Sequence, residues 1–405
     1  MLKDKNIIVG VTGGIAAYKV VDVVSRLKKR KANVEVIMTE NATKFVTPLT
    51  FQTLALNAVY VEMFKEPKHY DVEHISLAEK ADVFLIAPAT ANIIGKIANG
   101  IADDLLTTTI MATTSKVIFA PAMNTNMYLN PIVQDNIKKL KDLGYEFIEP
   151  GVGMLACQTY GPGRMAEPQD IVEYIISSLT KKDLSGQKIV VTAGPTIEPL
   201  DPVRYVTNHS SGKMGYTIAK QAANRGAEVV LISGPTHLDP PKNVRVESVN
   251  TTIEMFNAVE REFDSCQVLI KAAAPLDYRP ETVSDVKIKK KDGENDELNI
   301  RYIRNPDIAQ YFGNRKKDKI VVGFAAETND LISYAKEKLK KKNLDFIVAN
   351  NVKVPGAGFK SDTNIVTIID KDEKIKDYPM MEKEEVADII LDKVKELIDN
   401  KKYSC

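Results

Sequence analysis

Residues 6–19 read NIIVGVTGGIAAYK, and residues 188–196 read KIVVTAGPT. The first stretch opens on an unbroken apolar, β-branched run, Asn6–Thr12, followed by Gly13-Gly14 and by apolar residues at helical spacing from Ile15 to Lys29. A run without polar alternation suits a strand covered on both faces, and glycines at its end suit a tight entry into a helix. The alternation continues with predicted strands at 33–38, 82–87 and 116–120, and predicted helices at 91–98, 105–113 and 131–143. The second stretch restarts it after a closing helix at 170–179 and a polar link, TKKDLSGQ, at 180–187. Further strands are predicted at 228–233, 268–272, 320–325, 346–349 and 364–369, and helices at 214–225, 331–342 and 384–397. These patterns predict an α/β protein of two doubly wound, three-layer domains with mainly parallel sheets. The predicted domains are residues 1–182 and 183–405.

Size and composition agree with two ordinary globular cores. The chain has 405 residues, too many for one typical core, and is 44% hydrophobic and 27% charged. Its 55 basic and 54 acidic residues leave a formal charge of +1, which argues against nucleic acid as partner, because neutralising phosphates needs a concentrated basic surface. Cys157, Cys266 and Cys405 are odd in number and widely spaced, so neither a disulfide framework nor a zinc site is expected. The N-terminal residues run directly into a strand without a signal-peptide pattern, and no apolar stretch is long enough to span a membrane. A cytoplasmic protein with no membrane association is the expectation.

Gly13-Gly14 at a strand-to-helix turn lets backbone approach a phosphate, with helix N–H groups to receive it. Alone, the pair equally serves close strand–helix packing, and the full GxGxxG dinucleotide fingerprint is absent. Thr39 ends the second strand, where its hydroxyl either meets a phosphate or caps the next helix. SSGKMG at 210–215 lacks Walker spacing and is compatible with an anion cradle or a plain helix start.

Four segments carry more: VTGGIAAYK at 11–19, PATANIIGKIANGIADDLL at 88–106, PAMNTNMY at 121–128 and GMLACQTYGPGRM at 153–165. Together they resemble the flavin-dependent cysteine decarboxylases that produce 4′-phosphopantetheine, over residues 5–180. The resemblance implies a flavoprotein-like fold, with FMN bound by Gly13, Gly14, Thr39, Pro88, Ala89, Thr90 and Asn92. It implies that the substrate thiol passes electrons to FMN, that the thioaldehyde loses carbon dioxide, and that the ene-thiolate is protonated and reduced. His74 matches the acid/base group, Asn124 the residue whose amide holds the carboxylate, and Cys157 the proton donor on a flap. An imidazole and a thiol have suitable proton affinities for those tasks. The bland readings are a helix-capping histidine, a turn asparagine and a buried structural cysteine. Two departures stand out: Gln158 where the family has Gly, and Tyr128 where it has Trp.

The second half carries AGPTIEPLDPVRYVTNHSSGKMG at 193–215, KAAAPLDYRP at 271–280 and KIKKK at 287–291. NPDI at 305–308, GFAAET at 323–328 and KLKKKNLD from 338 follow. This set resembles phosphopantothenate–cysteine ligase, and the order of the halves is that of the fused bacterial enzyme. The resemblance implies that the 4′-phosphopantothenate carboxylate attacks CTP, with Mg2+, to give an acyl-cytidylate that cysteine then opens. Lys287 matches the lysine at the reacting phosphate, and Asn208 a residue needed to turn the acyl-cytidylate into product. Asp277, Phe324 and the turn Asn305, Pro306, Asp307, Ile308 match nucleotide contacts, as do Lys338 and Lys342 on one helix face. Exposed lysine-rich strands and helices are the plain alternative for the three lysines. Pro275-Leu276 departs from the small or branched residues usual before Asp277. The family further implies a homo-oligomer: trimeric flavin domains and dimeric ligase domains, giving a dodecamer. Rival readings are a decarboxylase of peptide C-terminal cysteines, which has no use for the second half, and a flavin-binding regulator, which has no use for His74, Asn124 and Cys157 together.

Overall fold

The computed structural model describes residues 2–64, 72–155, 158–289, 298–327, 331–351, 358 and 361–402. It divides into two compact units, Met1–Thr180 and Lys181–Cys405.

In the first unit the elements run β1 (Asn6–Val11), α1 (Ala17–Lys29), β2 (Asn33–Met38), α2 (Glu40–Thr43), α3 (Pro48–Ala55), β3 (Val59–Tyr60), α4 (Glu73–Lys80) and β4 (Val83–Ala89). They continue as α5 (Ala91–Ala98), α6 (Leu105–Ala112), β5 (Lys116–Pro121), α7 (Thr125–Tyr128), α8 (Pro131–Asp142) and β6 (Glu146–Phe147). A hairpin of β7 (Gly151–Met154) and β8 (Tyr160–Arg164) precedes α9 (Pro168–Leu179). The sheet order is β3-β2-β1-β4-β5-β6, and all its pairings are parallel.

Side chains alternate across a strand, so a strand apolar at every position feeds two cores at once. In β1, Ile7, Val9 and Val11 join the core packed by α1, α3 and α9, while Ile8 joins the core under α5, α6 and α8. β4 divides the same way: Val83, Leu85 and Ala87 on one face, Phe84, Ile86 and Ala89 on the other. This is why the unbroken apolar runs of the sequence became central strands.

The second unit runs β9 (Lys188–Ala193), β10 (Ile197–Pro199), β11 (Tyr205–Thr207), α10 (Lys213–Asn224), β12 (Glu228–Ser233), β13 (Arg245–Ser248), α11 (Thr252–Phe263) and β14 (Val268–Lys271). Next come β15 (Tyr278–Pro280), β16 (Tyr302–Arg304), α12 (Ile308–Arg315), β17 (Ile320–Glu327), α13 (Leu331–Lys341) and β18 (Phe346–Asn351). Last are β19 (Thr363–Asn364), β20 (Val366–Asp370), β21 (Ile375–Asp377), β22 (Met381–Glu382) and α14 (Lys383–Lys402). Its large sheet is ordered β13-β12-β9-β14-β17-β18-β20-β21, parallel as far as β18 and antiparallel for the last two strands. Up to β18 this repeats the order of the first sheet: third, second, first, fourth, fifth, sixth strand. The two halves therefore share a topology as well as a rhythm.

A candidate flavin cleft and a candidate nucleotide site

In open α/β sheets ligands sit beyond the carboxyl ends of the strands, where the strand order reverses direction. In the first unit that point lies between β1 and β4. A cleft of about 1160 Å³ opens there. Thr12, Gly13 and Gly14 line it after β1, Thr39 after β2, Thr90 to Ile93 after β4, and Ala122 to Asn124 after β5. The β7–β8 hairpin closes one side with Met154, Leu155, Gly163 and Arg164.

Local chemistry shapes the walls. A Cβ on Gly13 would lie 2.6 Å from the Cβ of Asn41, so the residue packs against the loop after β2. One on Gly14 would meet nothing closer than 3.5 Å. The N-terminus of α1 carries no side-chain cap; the N–H groups of Ala17 and Lys19 bond back to the Gly14 and Ala16 carbonyls at 2.9 and 3.0 Å, and the positive end of the helix dipole faces the cleft through Gly14, Ile15 and Ala16. Thr90 caps α5, accepting from the Ile93 N–H at 3.4 Å, and Thr39 caps α2, accepting from the Ala42 N–H at 3.3 Å. The Thr12 hydroxyl donates to the Pro88 carbonyl at 2.5 Å.

Asn124 is half-buried at the start of α7. Its Oδ1 accepts from the Asn126 N–H at 2.8 Å, and its Nδ2 donates to Thr159 Oγ1 at 3.4 Å. Gly13, Gly14, Thr39, Thr90, Asn92 and Asn124 thus share one cleft. Pro88 and Ala89 are buried inside β4 instead of lining it, because the strand runs two residues further than the sequence suggests. His74, on the first turn of α4, is half-buried and is not among the described residues lining the cleft. Cys157 lies outside the described residues. Its neighbour Gln158 has a φ of 59°, the left-handed region where glycine is the comfortable residue. That accounts for the Gly expected there.

Sequence reasoning did not single out the charges of the cleft. Lys19 pairs with Glu167 at 3.2 Å, and Arg164 pairs with the same carboxylate at 2.8 Å. Lys96 pairs with Asp103 at 2.7 Å, and that hydrogen bond raises the ammonium above the ordinary lysine value. All three cations lay within quoted motifs, but nothing in linear order showed them facing one space.

In the second unit the strand order reverses between β9 and β14, and Pro195 bridges to Ala274 at that point. The Asn208 amide donates to the Ala274 carbonyl at 2.7 Å and to the Pro275 carbonyl at 3.4 Å, so it shapes the loop after β14. Asn305 is buried with its side chain fully engaged. Its Nδ2 donates to Glu198 at 3.1 Å and to the Leu276 carbonyl at 2.9 Å, while its Oδ1 accepts from Arg279 at 2.9 Å. It builds the NPDI turn instead of presenting a free amide.

Asp307 caps α12, accepting from the Gln310 N–H at 3.0 Å, and pairs with Lys342 at 2.9 Å. Burial alone would raise its carboxyl, but the Gln310 N–H and the Lys342 ammonium hold it below the usual range. Lys342 falls one residue past the end of α13, and its N–H still bonds the Lys338 carbonyl at 3.0 Å. Lys271, at the end of β14, completes the group and was missed. Burial, with repulsion from Lys342 and Lys338, lowers it to about 8 against the pull of Asp307 and Asp277. Asp277 is exposed, and Pro306 and Phe324 are half-buried. Ile308 is buried in the core behind the turn. Lys287 is exposed on a stretch that forms no strand.

Two doubly wound sheets, one with a glycine-walled cleft at its reversal point and one with a lysine–aspartate cluster there, make this a two-domain α/β protein with a candidate ligand site in each half. Residues 1–180 match the Flavoprotein family, and residues 184–398 match the family described as DNA/pantothenate metabolism flavoprotein C-terminal domain. The coenzyme A biosynthesis bifunctional protein CoaBC of Bacillus subtilis is 49% identical over 398 residues, covering 97% of each chain. That of Borreliella burgdorferi is 46% identical over 394 residues, 96% of this chain and 99% of the other. A solved C-terminal domain of a coenzyme A biosynthesis bifunctional protein CoaBC is 40% identical, covers 54% of this chain and 100% of its own, and has a TM-score of 0.47. The chain belongs to the family of bifunctional coenzyme A biosynthesis proteins. It is an enzyme that joins a flavoprotein decarboxylase domain to a ligase domain, acting as phosphopantothenoylcysteine decarboxylase and phosphopantothenate–cysteine ligase.

Proposed function

We propose that the first unit binds FMN in its cleft and that the second activates the 4′-phosphopantothenate carboxylate with CTP before cysteine is joined to it. The observation that carries the first part is the cleft itself: an uncapped helix start, open space over Gly14 and hydroxyls at Thr39 and Thr90 converge on it. That set fits a phosphate at the α1 end, and the volume fits the rest of a flavin mononucleotide. Bound FMN supplies a two-electron acceptor and donor. The chain's own work is to hold and protonate the substrate. Asn124 Nδ2, whose 3.4 Å contact with Thr159 is long, is placed to exchange it for the leaving carboxylate. A neutral donor orients that group without holding its charge in place. Cys157, two residues beyond the cleft-lining Leu155, gives the proton to the ene-thiolate. His74 serves the oxidative half as acid/base, reaching the cleft of a neighbouring copy in a trimer.

In the ligase unit Lys271, Lys338 and Lys342 neutralise the triphosphate, with Asp277 and Phe324 toward ribose and base, and Lys287 meets the phosphate under attack. Asn208 holds the loop on which the acyl-cytidylate is turned over. Among the described residues no three His, Cys, Asp or Glu side chains are grouped to hold a metal. Mg2+ fits here as a companion of the triphosphate oxygens, its usual mode. Residues 1–182 and 183–405 carry the two reactions, with trimeric first domains and dimeric second domains forming a dodecamer. Among the described residues no helix is long and apolar enough to cross a membrane, and we place the protein in the cytoplasm. The test is Lys287→Gln, expected to abolish steady-state CTP-dependent pyrophosphate release while phosphopantothenoylcysteine is still decarboxylated. Unchanged pyrophosphate release would overturn the role of Lys287.

A further inference from the structure

We infer that Asp201 is a positioning residue for Lys287: together with Arg204 it clamps the backbone beside that lysine and so sets where the ammonium meets the reacting phosphate. The inference rests on the role proposed above for Lys287.

Asp201 lies in the turn between β10 and β11 and is 3% exposed. Its two oxygens do different work. Oδ1 accepts the N–H groups of Val203 and Arg204, each at 2.8 Å, which closes the turn. Turn closure needs nothing more. Oδ2 accepts from the Arg204 guanidinium, Nε at 3.0 Å and Nη2 at 2.7 Å, and from the N–H of Ile288 at 3.0 Å. Ile288 is 87 residues away in sequence and adjacent to Lys287. Arg204 Nη2 also donates to the Ile288 carbonyl. Both backbone polar groups of Ile288 are therefore held by one carboxylate–guanidinium pair. A further tie joins the same two segments: the Ser284 N–H donates to the Leu200 carbonyl at 3.0 Å.

The chemistry of the pair suits a fixed anchor. Burial works against the Asp201 charge, yet the N–H groups of Ile288 and Val203 and the Arg204 side chain keep the carboxyl well below the usual range. A charged, bidentate pair with every acceptor site used has one geometry, not several. The Lys287 segment forms no strand, so the anchor substitutes for the ladder that would otherwise hold its register. A charge placed to stabilise a developing phosphate loses much of its effect when shifted by about 1 Å.

The experiment is a double-mutant cycle on the full chain with bound flavin. CTP-dependent pyrophosphate release is read in single turnovers, with enzyme in excess so that slow variants remain measurable. Asp201→Asn keeps the turn acceptor but removes the charge. It is expected to lower the single-turnover ligation rate by about 10- to 100-fold, with the CTP concentration that gives half the maximal rate moving far less and decarboxylation unchanged. In a Lys287→Gln background the same change is expected to cost less than about twofold, because the group it positions is gone. Hydrogen exchange should show the Ile288 amide losing protection in Asp201→Asn while the β9 and β14 amides keep theirs. Multiplicative losses in the double variant would overturn the inference, as would full protection of Ile288. Asp201→Glu, which keeps the charge but lengthens the arm, is run through the same cycle, so that the inference can still fail or stand if the Asp201→Asn chain folds poorly. If Lys287→Gln alone costs nothing, the reading of Lys287 fails first, and that outcome is distinct from a failure of the clamp.

Discussion

Lys271 shows what a single residue contributes that its place in the sequence conceals. It ends an apolar strand, VLIK, and reads as a strand end. The fold sets it among Lys342, Lys338, Asp307 and Asp277, contributed by three later segments, and burial with like charge lowers it to about 8. The folded form thus binds its proton less tightly than the unfolded chain, whose lysine titrates near about 10.4. Between those two values the unfolded state carries more protons, so this group makes stability rise with pH across that window. Lys271→Met should therefore raise the melting temperature at pH 7 and give progressively less gain as pH approaches about 10.4. A triphosphate beside the amine restores its affinity for a proton. CTP binding at pH 8 should take up protons, read by calorimetry in buffers of different ionisation enthalpy, and Lys271→Met should remove that uptake. Proton release on binding would contradict the placement of nucleotide phosphate here. Asp277, Asp307, Lys338 and Lys342 were singled out from their motifs; that Lys271 lies among these charges was not foreseen, because only the folded sheet brings the five together.

At the scale of elements, the long apolar strands were legible and the short ones were not. β1, β2, β4, β9, β12 and β14 are covered on both faces, so burial itself writes them into the sequence as apolar runs. β10, β11, β15 and β16 are three residues each and pair only as two-stranded ribbons. Three residues carry no readable period. The β7–β8 hairpin escaped for a related reason: it is rich in glycine and partly exposed, and its register shifts near Gly151. The β1–α1 turn offers the sharpest element-scale test. Gly13→Ala forces a Cβ onto the Asn41 side chain and backbone, and should destabilise the first domain by about 1–3 kcal/mol. Gly14→Ala has room in the protein and should melt like the parent, yet the added methyl occupies the cleft. Its flavin absorbance after desalting should fall sharply. A Gly14→Ala protein that keeps its flavin in full would place the phosphate elsewhere.

For the whole molecule, the question is whether one chain makes one complete decarboxylase site. Asn124 lines the cleft, whereas His74 does not. If His74 serves a neighbouring copy, two defective variants should complement each other. Coexpressed in equal amounts, His74→Ala and Cys157→Ser chains, neither of which forms 4′-phosphopantetheine alone, should recover about a quarter of the parental 4′-phosphopantetheine formation per site, the share of interfaces that draw each group from an intact donor. No recovery in mixed oligomers would mean that each site is built by one chain. The domain order and both sheets were legible from the strand–glycine–helix restart at residue 188. Assembly was expected from the family resemblance alone, because no periodicity records which exposed groups of one chain meet another.

The most direct measurement follows the flavin-bound protein with 4′-phosphopantothenate, cysteine and CTP, reading products by mass. Pyrophosphate, CMP and carbon dioxide are expected with 4′-phosphopantetheine accumulating, and an unreduced ene-thiol should build up after carbon dioxide release when Cys157 is replaced by Ser. A chain that retains no flavin and forms no amide from these three substrates would contradict the two-reaction assignment at its root.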